Sequence, residues 1–298
     1  MAAYAGAALS PVAIDKAVRE WLLEDLSSFD VGGDVVGTNV VTAHFLAKSP
    51  VVVAGFPFAE AVLKHLGCTV TWKVPEGAFL GDASSKNRVL LGVAEGPANR
   101  LLQAERTALE VLTRAGACAT YARQCVVAAK AGYGTWRGKV AATRKTTPGT
   151  MRLVEKYGAI VGGADPHRYS LSSMVMLKDN HIDVAGSITK AVHHARKLCG
   201  FSVKIEVECR TEADAMEACA AGADVVMLDN FTADAAKASG QRVKAAYPHC
   251  IVELSGGITA ESVGRYAGEG VDIISVGKIT HGPPPVDISM KIAKRSML

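Results

Sequence analysis

The sequence predicts an α/β protein in which a mixed layer of strands and helices precedes a barrel, complete or partial, of parallel strands. Two observations predict this class. From Gly138 onward, six apolar runs of strand length alternate with helical segments, and each unit has roughly the length of a βα repeat. No Gly-x-Gly-x-x-Gly motif follows an early strand, which disfavours the alternative, a flat doubly wound sheet.

The N-terminal third is predicted to mix both kinds of element. Ser10 and Pro11 have the form of a helix N-cap followed by proline at the first helical position. Apolar residues from Ile14 to Leu26 then recur at helical spacing. Strand-like runs cover residues 41–47, 51–54, 68–74 and 88–93, with a helix near 57–66. This part of the chain should bury one face of a small sheet.

A long helix is predicted from Pro97 to about Lys130, with a break at Gly116. The strands of the barrel are predicted at residues 139–143, 174–177, 203–207, 225–228, 250–254 and 273–276. The helices between them are predicted at residues 187–198, 211–221, 233–246 and 260–268. Two of these units resemble each other, because in both a glycine ends a helix (Gly222, Gly270) and an aspartate precedes the next strand (Asp224, Asp272).

Composition limits the classes of function. The 298 residues carry a formal charge of only +4, which argues against a nucleic-acid binder and is compatible with small anionic substrates. No apolar run reaches the length of a membrane span, and the N-terminus lacks the basic start of a secretory signal. The seven cysteines include no Cys-x-x-Cys pair, so we expect neither disulfides nor zinc and predict a cytoplasmic location.

Four cations stand near the ends of apolar runs: Arg144, Lys145, Arg168 and Lys178. Clustered cations repel one another and lose hydration, so an anion should neutralise them. A solvated basic surface is the alternative. In a βα barrel the active site lies at the carboxyl ends of the strands, and these cations follow the early strands. They therefore predict an anion pocket.

Carboxylates follow the middle strands. Lys204, Glu206, Glu208 and Arg210 alternate with apolar residues, so they share one face of a strand. That face is either a solvent-facing edge or, in a barrel, the interior. In the second case Glu208 approaches Asp229 on the next strand, and the pair suits Mg²⁺; a general-base role is the alternative.

Glycine-bearing loops follow the late strands, at Ser255-Gly256-Gly257 and at Gly277. Glycine lets backbone amides approach a phosphate, and late-strand loops are the usual phosphate site in such barrels. An anion pocket, a possible magnesium pair and a phosphate site together fit a phosphorylated sugar with a magnesium-bound diphosphate that meets a small polycarboxylate.

A set of motifs, in this order, closely resembles the quinolinate phosphoribosyltransferase family. The motifs are residues 142–149, 152–158, 162–163, 167–168, 178–181, 206–208, 228–230 and 255–259. The resemblance implies an N-terminal α/β sandwich domain and an open (incomplete) parallel α/β barrel. We accordingly expect a sandwich domain at 1–119, the barrel at 120–282 and a C-terminal segment at 283–298 that packs back on the first domain.

The resemblance also implies transfer of phosphoribose from phosphoribosyl diphosphate to quinolinate with loss of CO₂, in de novo NAD biosynthesis. It implies Mg²⁺ as the cofactor and a homodimer or trimer of dimers, with no nucleic-acid or membrane partner. The implied quinolinate pocket is Arg144, Lys145, His167, Arg168 and Lys178, joined by Arg106 from the neighbouring subunit. Glu208 and Asp229 are the implied ligands of metal and ribose, and Ser255, Gly256 and Gly277 the implied phosphate loops. We expect Lys145, Lys178, Glu208 and Asp229 to act in catalysis.

Several points stay open. By composition alone, Arg106 is a surface ion pair among acidic neighbours, and only the resemblance gives it a role. His167 either donates to a substrate carboxylate or caps its own loop. Glu110, Ala115 and Ser170 depart from common family residues. The alternatives for function are transfer to another pyridine acid such as nicotinate, a non-catalytic relative, and a phosphate-binding isomerase or synthase.

Overall fold

The computed structural model describes residue 6 and residues 8–293. The predicted α/β class is confirmed. The chain divides into two compact units: the first holds residues 1–121, 146–163 and 283–298, and the second holds residues 122–145 and 164–282. The predicted bounds 1–119, 120–282 and 283–298 stay a prediction, and their outermost residues, 1–5, 7 and 294–298, lie outside the described part.

The first unit is built on a four-stranded antiparallel sheet with the order β12-β1-β5-β3. The strands of this unit are β1 (Val40–Ala47), β2 (Val51–Val52), β3 (Thr69–Trp72), β4 (Phe79–Leu80), β5 (Val89–Pro97) and β12 (Ile288–Ile292). Its helices are α1 (Pro11–Asp25), α2 (Val31–Val36), α3 (Phe56–His65) and α5 (Met151–Val161). Side chains such as Phe45, Phe58 and Leu101 are fully buried in its core.

Helix α1 begins as its sequence predicts, because the Ser10 hydroxyl accepts a hydrogen bond from the Ala13 N–H at 3.3 Å. The long helix α4 (Ala98–Gly132) runs through both units. The predicted break at Gly116 is wrong. A side chain at Gly116 would meet Val51 Cγ2 at 3.0 Å, so the glycine allows a close approach to β2 while the helix continues.

The second unit contains a parallel sheet with the order β6-β11-β10-β9-β8-β7. These strands are β6 (Lys139–Ala141), β7 (Val175–Leu177), β8 (Ile205–Cys209), β9 (Val225–Asp229), β10 (Ile251–Ser255) and β11 (Ile273–Ser275). The helices are α6 (Asp179–Ala185), α7 (Ile188–Cys199), α8 (Glu212–Ala220), α9 (Ala233–Ala246), α10 (Val263–Tyr266) and α11 (Lys278–His281). The helix predicted at 260–268 is therefore only one turn.

The strand order distinguishes a barrel from a doubly wound sheet. Strands β7 to β11 follow one another in space as in the chain, and the first strand, β6, pairs with the last, β11. A doubly wound sheet would instead reverse its order near the middle. No ladder joins β6 to β7 in the described part of the chain, so the barrel is open at that point.

The repeated Gly-x-Asp pattern has a structural cause. Gly222 and Gly270 adopt left-handed φ angles of 91° and 80°, which lets the chain turn sharply into the next strand. The Asp224 carboxylate then accepts the Ile205 N–H at 2.8 Å, and the Asp272 carboxylate accepts the Val252 N–H at 2.9 Å. Each aspartate thus accepts an amide near the start of the preceding strand, the first residue of β8 and the second of β10, and aligns the two strands.

Candidate active site

Side chains at alternate positions of the parallel strands point into the barrel and line one cavity of about 710 Å³. This site cavity lies at the carboxyl ends of the strands. Its lining includes all ten predicted site residues of the second unit: Arg144, Lys145, His167, Arg168, Lys178, Glu208, Asp229, Ser255, Gly256 and Gly277. Arg106 lies in the first unit, exposed on α4.

The strand Ile205–Cys209 shows how the alternation works. Glu206 is fully buried and the Glu208 side chain is 14% exposed, so both face the interior rather than an open edge. Lys204 precedes the strand and lines a second cavity of about 880 Å³ near the amino ends of the strands. Arg210 follows the strand and pairs with Asp179. The charged face predicted for this segment therefore holds for its two glutamates.

Four cations of the site cavity are held by different elements. Lys178 follows β7 and forms an ion pair with Glu208. Arg168 donates from Nη1 to the Met174 carbonyl at 3.2 Å. Burial, followed by the nearby charge of Arg144, lowers the pKa of Arg168. A bound anion would relieve this repulsion, so the cavity is suited to a ligand with more than one negative charge.

Hydrogen bonds of its backbone fix the position of Lys145. Its N–H donates to the Thr143 hydroxyl at 3.1 Å, and its carbonyl accepts from the Thr280 hydroxyl at 2.8 Å. Its side chain runs past Gly277, where a Cβ would lie 3.6 Å from Lys145 Cδ. The lysine therefore stands beside the loop that follows β11.

Asp229 ends β9, directly opposite Ser255 in the register of β10. Burial, followed by the charge of Glu208, raises the pKa of Asp229, while Lys178 and Lys145 oppose that rise. The two carboxylates are thus close enough to repel each other. Oxygen ligands of this kind fit a hard divalent cation such as Mg²⁺, which would remove the repulsion.

A backbone hydrogen bond joins the loop after β9 to the end of β10. Among the described residues, His167 and Asn230 are the non-glycine residues with positive φ, at 58° and 60°, and both line the site cavity. The Asn230 N–H donates to the Ser255 carbonyl at 2.9 Å. Gly256, with φ of 111°, packs against Asn230. Strained backbone of this kind concentrates at functional sites.

Below the cavity lies a buried polar cluster of His167, Glu206, Glu253 and Ser275, of which Glu253 and Ser275 were not predicted from the sequence. The His167 Nε2 lies 3.1 Å from Glu253 Oε1 and 4.0 Å from Glu206 Oε2. Burial, followed by the charge of Glu253, raises the pKa of Glu206 to about 9, which favours the neutral form of this carboxyl. A signal was present, because Glu253 and Ser255 alternate along their strand as Glu206 and Glu208 do.

Both ring nitrogens of His167 are engaged within the protein. The Arg168 N–H donates to Nδ1 at 2.7 Å, and Nε2 faces Glu253. The bond to Nδ1 agrees with the second role considered from sequence, because the ring accepts from its own loop; donation to a substrate carboxylate stays a prediction.

Two comparisons of sequence identify the family. The model of the quinolinate phosphoribosyl transferase C-terminal domain matches residues 118–291, and that of the N-terminal domain matches residues 26–116. The chain is 45% identical over 291 residues to the nicotinate-nucleotide pyrophosphorylase (carboxylating) of Dictyostelium discoideum, covering 95% of this chain and 96% of that protein. It is 44% identical over 284 residues to the Homo sapiens protein of the same name, covering 95% and 93%.

Solved structures agree with this. The nicotinate-nucleotide pyrophosphorylase from Francisella tularensis superposes with a TM-score of 0.84 at 31% identity, covering 96% of this chain and 98% of that one. A structure of that name from Ehrlichia chaffeensis gives a TM-score of 0.83 at 28% identity, covering 96% and 100%. The chain belongs to the quinolinate phosphoribosyltransferase family.

Proposed function

We propose that this protein transfers the phosphoribosyl group of phosphoribosyl diphosphate to quinolinate and releases diphosphate and CO₂, giving nicotinate mononucleotide for NAD biosynthesis. One observation carries the proposal: ten residues from separate segments of the sequence line a single cavity in a chain of this family. They include cations, carboxylates and glycines. The names of the curated relatives, which include the word carboxylating, agree with that chemistry.

The cations would bind the pyridine dicarboxylate. Arg144 and Arg168 can each hold a carboxylate through two hydrogen bonds, while Lys145 and Lys178 add positive charge. Two anions must meet in this reaction, so the chief task of these side chains is to offset the repulsion between them and to hold the ring nitrogen against C1 of the ribose.

The chemistry then runs in two steps. The ring nitrogen forms a bond to C1 as the bond from C1 to the diphosphate oxygen breaks, and the diphosphate leaves with the bonding electrons. The ring is now cationic, so it accepts the electron pair released when the 2-carboxylate departs as CO₂, and a proton then replaces it on the ring carbon. Backbone amides at Ser255, Gly256 and Gly277 are suited to hold the phosphate groups.

We also propose that Glu208 and Asp229 hold Mg²⁺, because they are neighbouring, part-buried carboxylates at the strand ends. Bound there, the ion would supply charge neutralisation for the diphosphate. The residues of the chain would orient it: Lys178 restrains Glu208, and the Asn230 amide donates to the Asp229 carboxylate at 2.5 Å.

We further infer a homodimer, alone or as a trimer of dimers, in which Arg106 completes the site of the neighbouring subunit. Arg106 is exposed on α4, as this role requires. A mixture of Arg106→Ala and Arg168→Ala tests it, because a mixed dimer regains one intact site if the residues act across subunits. No recovery of activity on mixing the two unfolded and refolded variants would contradict the shared site.

We propose a cytoplasmic location as well, and no nucleic-acid or membrane partner. The seven cysteines are free thiols, which suits a reducing compartment. In the part of the chain that the structure describes, no helix has the length and apolar character needed to cross a membrane.

The direct test is an assay with quinolinate, phosphoribosyl diphosphate and Mg²⁺. We expect nicotinate mononucleotide, diphosphate and CO₂ in equal amounts, with the CO₂ arising from the 2-carboxylate. Nicotinate in place of quinolinate tests the alternative substrate, since its product forms without CO₂. Binding of phosphoribosyl diphosphate without any turnover would instead indicate a non-catalytic relative.

A further inference from the structure

The corner from Asp165 to Arg168 is held in an unfavourable backbone conformation. His167 has a φ of 58°, in the left-handed region that non-glycine residues rarely adopt. The Asp165 carboxylate accepts the His167 N–H at 2.8 Å, and the His167 side chain is only 6% exposed. This corner directs Arg168, a cation proposed to hold quinolinate, into the site cavity.

The hydrogen bonds of the His167 ring define its tautomer. The Arg168 N–H donates to Nδ1 at 2.7 Å, so Nδ1 carries no proton. Nε2 must then carry the proton of the neutral ring, and it donates to Glu253 Oε1 at 3.1 Å. The ring is therefore a link between the buried Glu253 carboxylate and the backbone of Arg168.

The buried position of the Glu253 carboxylate is energetically unfavourable by itself. It is 3% exposed and accepts a second hydrogen bond from Ser275, itself 3% exposed. Burying a carboxylate is strongly unfavourable unless its partners compensate. Met176 and Met227 also line the interior of this barrel, so apolar side chains of similar length occupy other inward-facing positions. Packing alone therefore does not account for a glutamate.

We propose that Glu253 is a positioning residue for quinolinate binding, acting through His167 to hold Arg168 in its working orientation, with Ser275 orienting the Glu253 carboxylate. This inference rests on the proposed function, because it assumes that Arg168 binds a carboxylate of the pyridine diacid. On this proposal His167 acts on the substrate indirectly, by positioning Arg168, and its own ring nitrogens do not contact the substrate.

A metal ion is the competing explanation for this cluster. Ligand atoms of His167, Glu206 and Glu253 lie within 4.8 Å of one another. However, a metal needs a free lone pair on the imidazole, and here one nitrogen accepts a backbone N–H while the other carries the proton. The positive charge of Arg168 next to His167 also disfavours a cation. The hydrogen-bonded network is the better reading.

The test compares Glu253→Ala with Glu253→Gln. The alanine variant should raise KM for quinolinate about 10-fold or more, the lower end of the loss seen when a residue that orients a metal ligand is removed. Its KM for phosphoribosyl diphosphate should change less than about 2-fold, because on this proposal Glu253 acts on Arg168 and not on the backbone amides of the phosphate loops. The glutamine variant should recover most of the lost affinity, since its amide oxygen can accept both hydrogen bonds.

Ser275→Ala keeps the test valid if Glu253→Ala does not fold, and it has a matched control. Ser239 is 4% exposed and its hydroxyl donates to the Glu212 carboxylate at 2.7 Å, away from the site cavity. Ser275→Ala should raise KM for quinolinate, whereas Ser239→Ala should change only stability. Nitrogen-15 NMR of the histidines should show His167 as the Nε2-protonated tautomer, and Glu253→Ala should mix the two tautomers.

The outcomes separate the two hypotheses. Wild-type protein that forms no nicotinate mononucleotide refutes the proposed function. Normal wild-type turnover together with an unchanged KM for quinolinate in Glu253→Ala refutes only the positioning role. Equal rises in KM for both substrates would reduce Glu253 to a general structural residue. A stoichiometric metal ion that survives in the purified protein and is lost in Glu253→Ala would also overturn the assignment.

Discussion

Gly256 and Gly257 are neighbours in one loop, yet the structure predicts different consequences for alanine at the two positions: a loss of activity at Gly256 and a loss of stability at Gly257. At Gly256, φ is 111°, and a Cβ would lie 2.7 Å from the backbone nitrogen of Asn230. That nitrogen cannot easily move, because its N–H is bonded to the Ser255 carbonyl at 2.9 Å. At Gly257, φ is 60° and nothing lies within 4 Å of an added Cβ.

The magnitudes follow from these two geometries. A non-glycine residue at the φ of Gly256 costs about 1–3 kcal/mol, and the contact with Asn230 adds to it. The loop should relieve this strain by moving away from Asn230, and every 1.4 kcal/mol of lost substrate binding is roughly tenfold. We therefore expect Gly256→Ala to lower kcat/KM for phosphoribosyl diphosphate about 30-fold or more. In Gly257→Ala the alanine only has to adopt a left-handed backbone conformation. The cost of about 1–2 kcal/mol should therefore lower the free energy of unfolding and leave substrate binding nearly unchanged.

The assay is steady-state kinetics with varied phosphoribosyl diphosphate at saturating quinolinate, together with thermal unfolding of both variants. We expect Gly257→Ala to lower Tm less than Gly256→Ala does and to keep kcat/KM within about 5-fold of wild type. Equal kinetic losses in the two variants, or an unaffected Gly256→Ala, would refute the claim that contact between this glycine and Asn230 shapes the phosphate loop.

Four further predictions follow from other parts of the molecule. Arg168→Ala should lose quinolinate binding, measured by calorimetry, while keeping the wild-type circular dichroism spectrum; near-normal affinity would contradict its role. Asp229→Ala should need a higher Mg²⁺ concentration for half-maximal activity, and an unchanged titration would count against it as a ligand. Cys199 alone is partly exposed among seven free thiols, so a thiol reagent should label one cysteine in the native protein and seven after denaturation. Burial raises the pKa of Glu76, although interactions with Tyr157 and with backbone amides oppose this. Glu76 therefore keeps its proton to higher pH in the folded state than in the unfolded state, so its contribution to stability should fall as pH rises above about 4.5. Comparing urea titrations of the wild type and Glu76→Gln across this pH range should show that contribution as a difference that grows with pH.

Much of the barrel was predictable from local patterns. Strand runs separated by helices imply parallel strands, and alternation along one strand places Glu206 and Glu208 on the same inner face. The match of Asp224 and Asp272 in the two similar units reflects the same strand-aligning hydrogen bond in each. The break predicted at Gly116 was wrong because a glycine that allows close packing looks the same in sequence as one that ends a helix.

The buried cluster illustrates what local patterns do not contain. Glu253 and His167 are 86 residues apart in the chain and meet at 3.1 Å, and the motif at residues 167–168 gives no sign of this contact. The positive φ of His167 was equally invisible, since it depends on the hydrogen bonds of Asp165 and the neighbouring strand.

By itself, the amino-acid order determined which residues sit at strand ends, because side-chain period and turn chemistry act over a few positions. Only the tertiary structure decided which of those ends share a cavity, which carboxylates repel each other and what the His167 ring bonds to. Burial and electrostatic interactions depend on distance in space, and that distance is set by the packing of the whole unit.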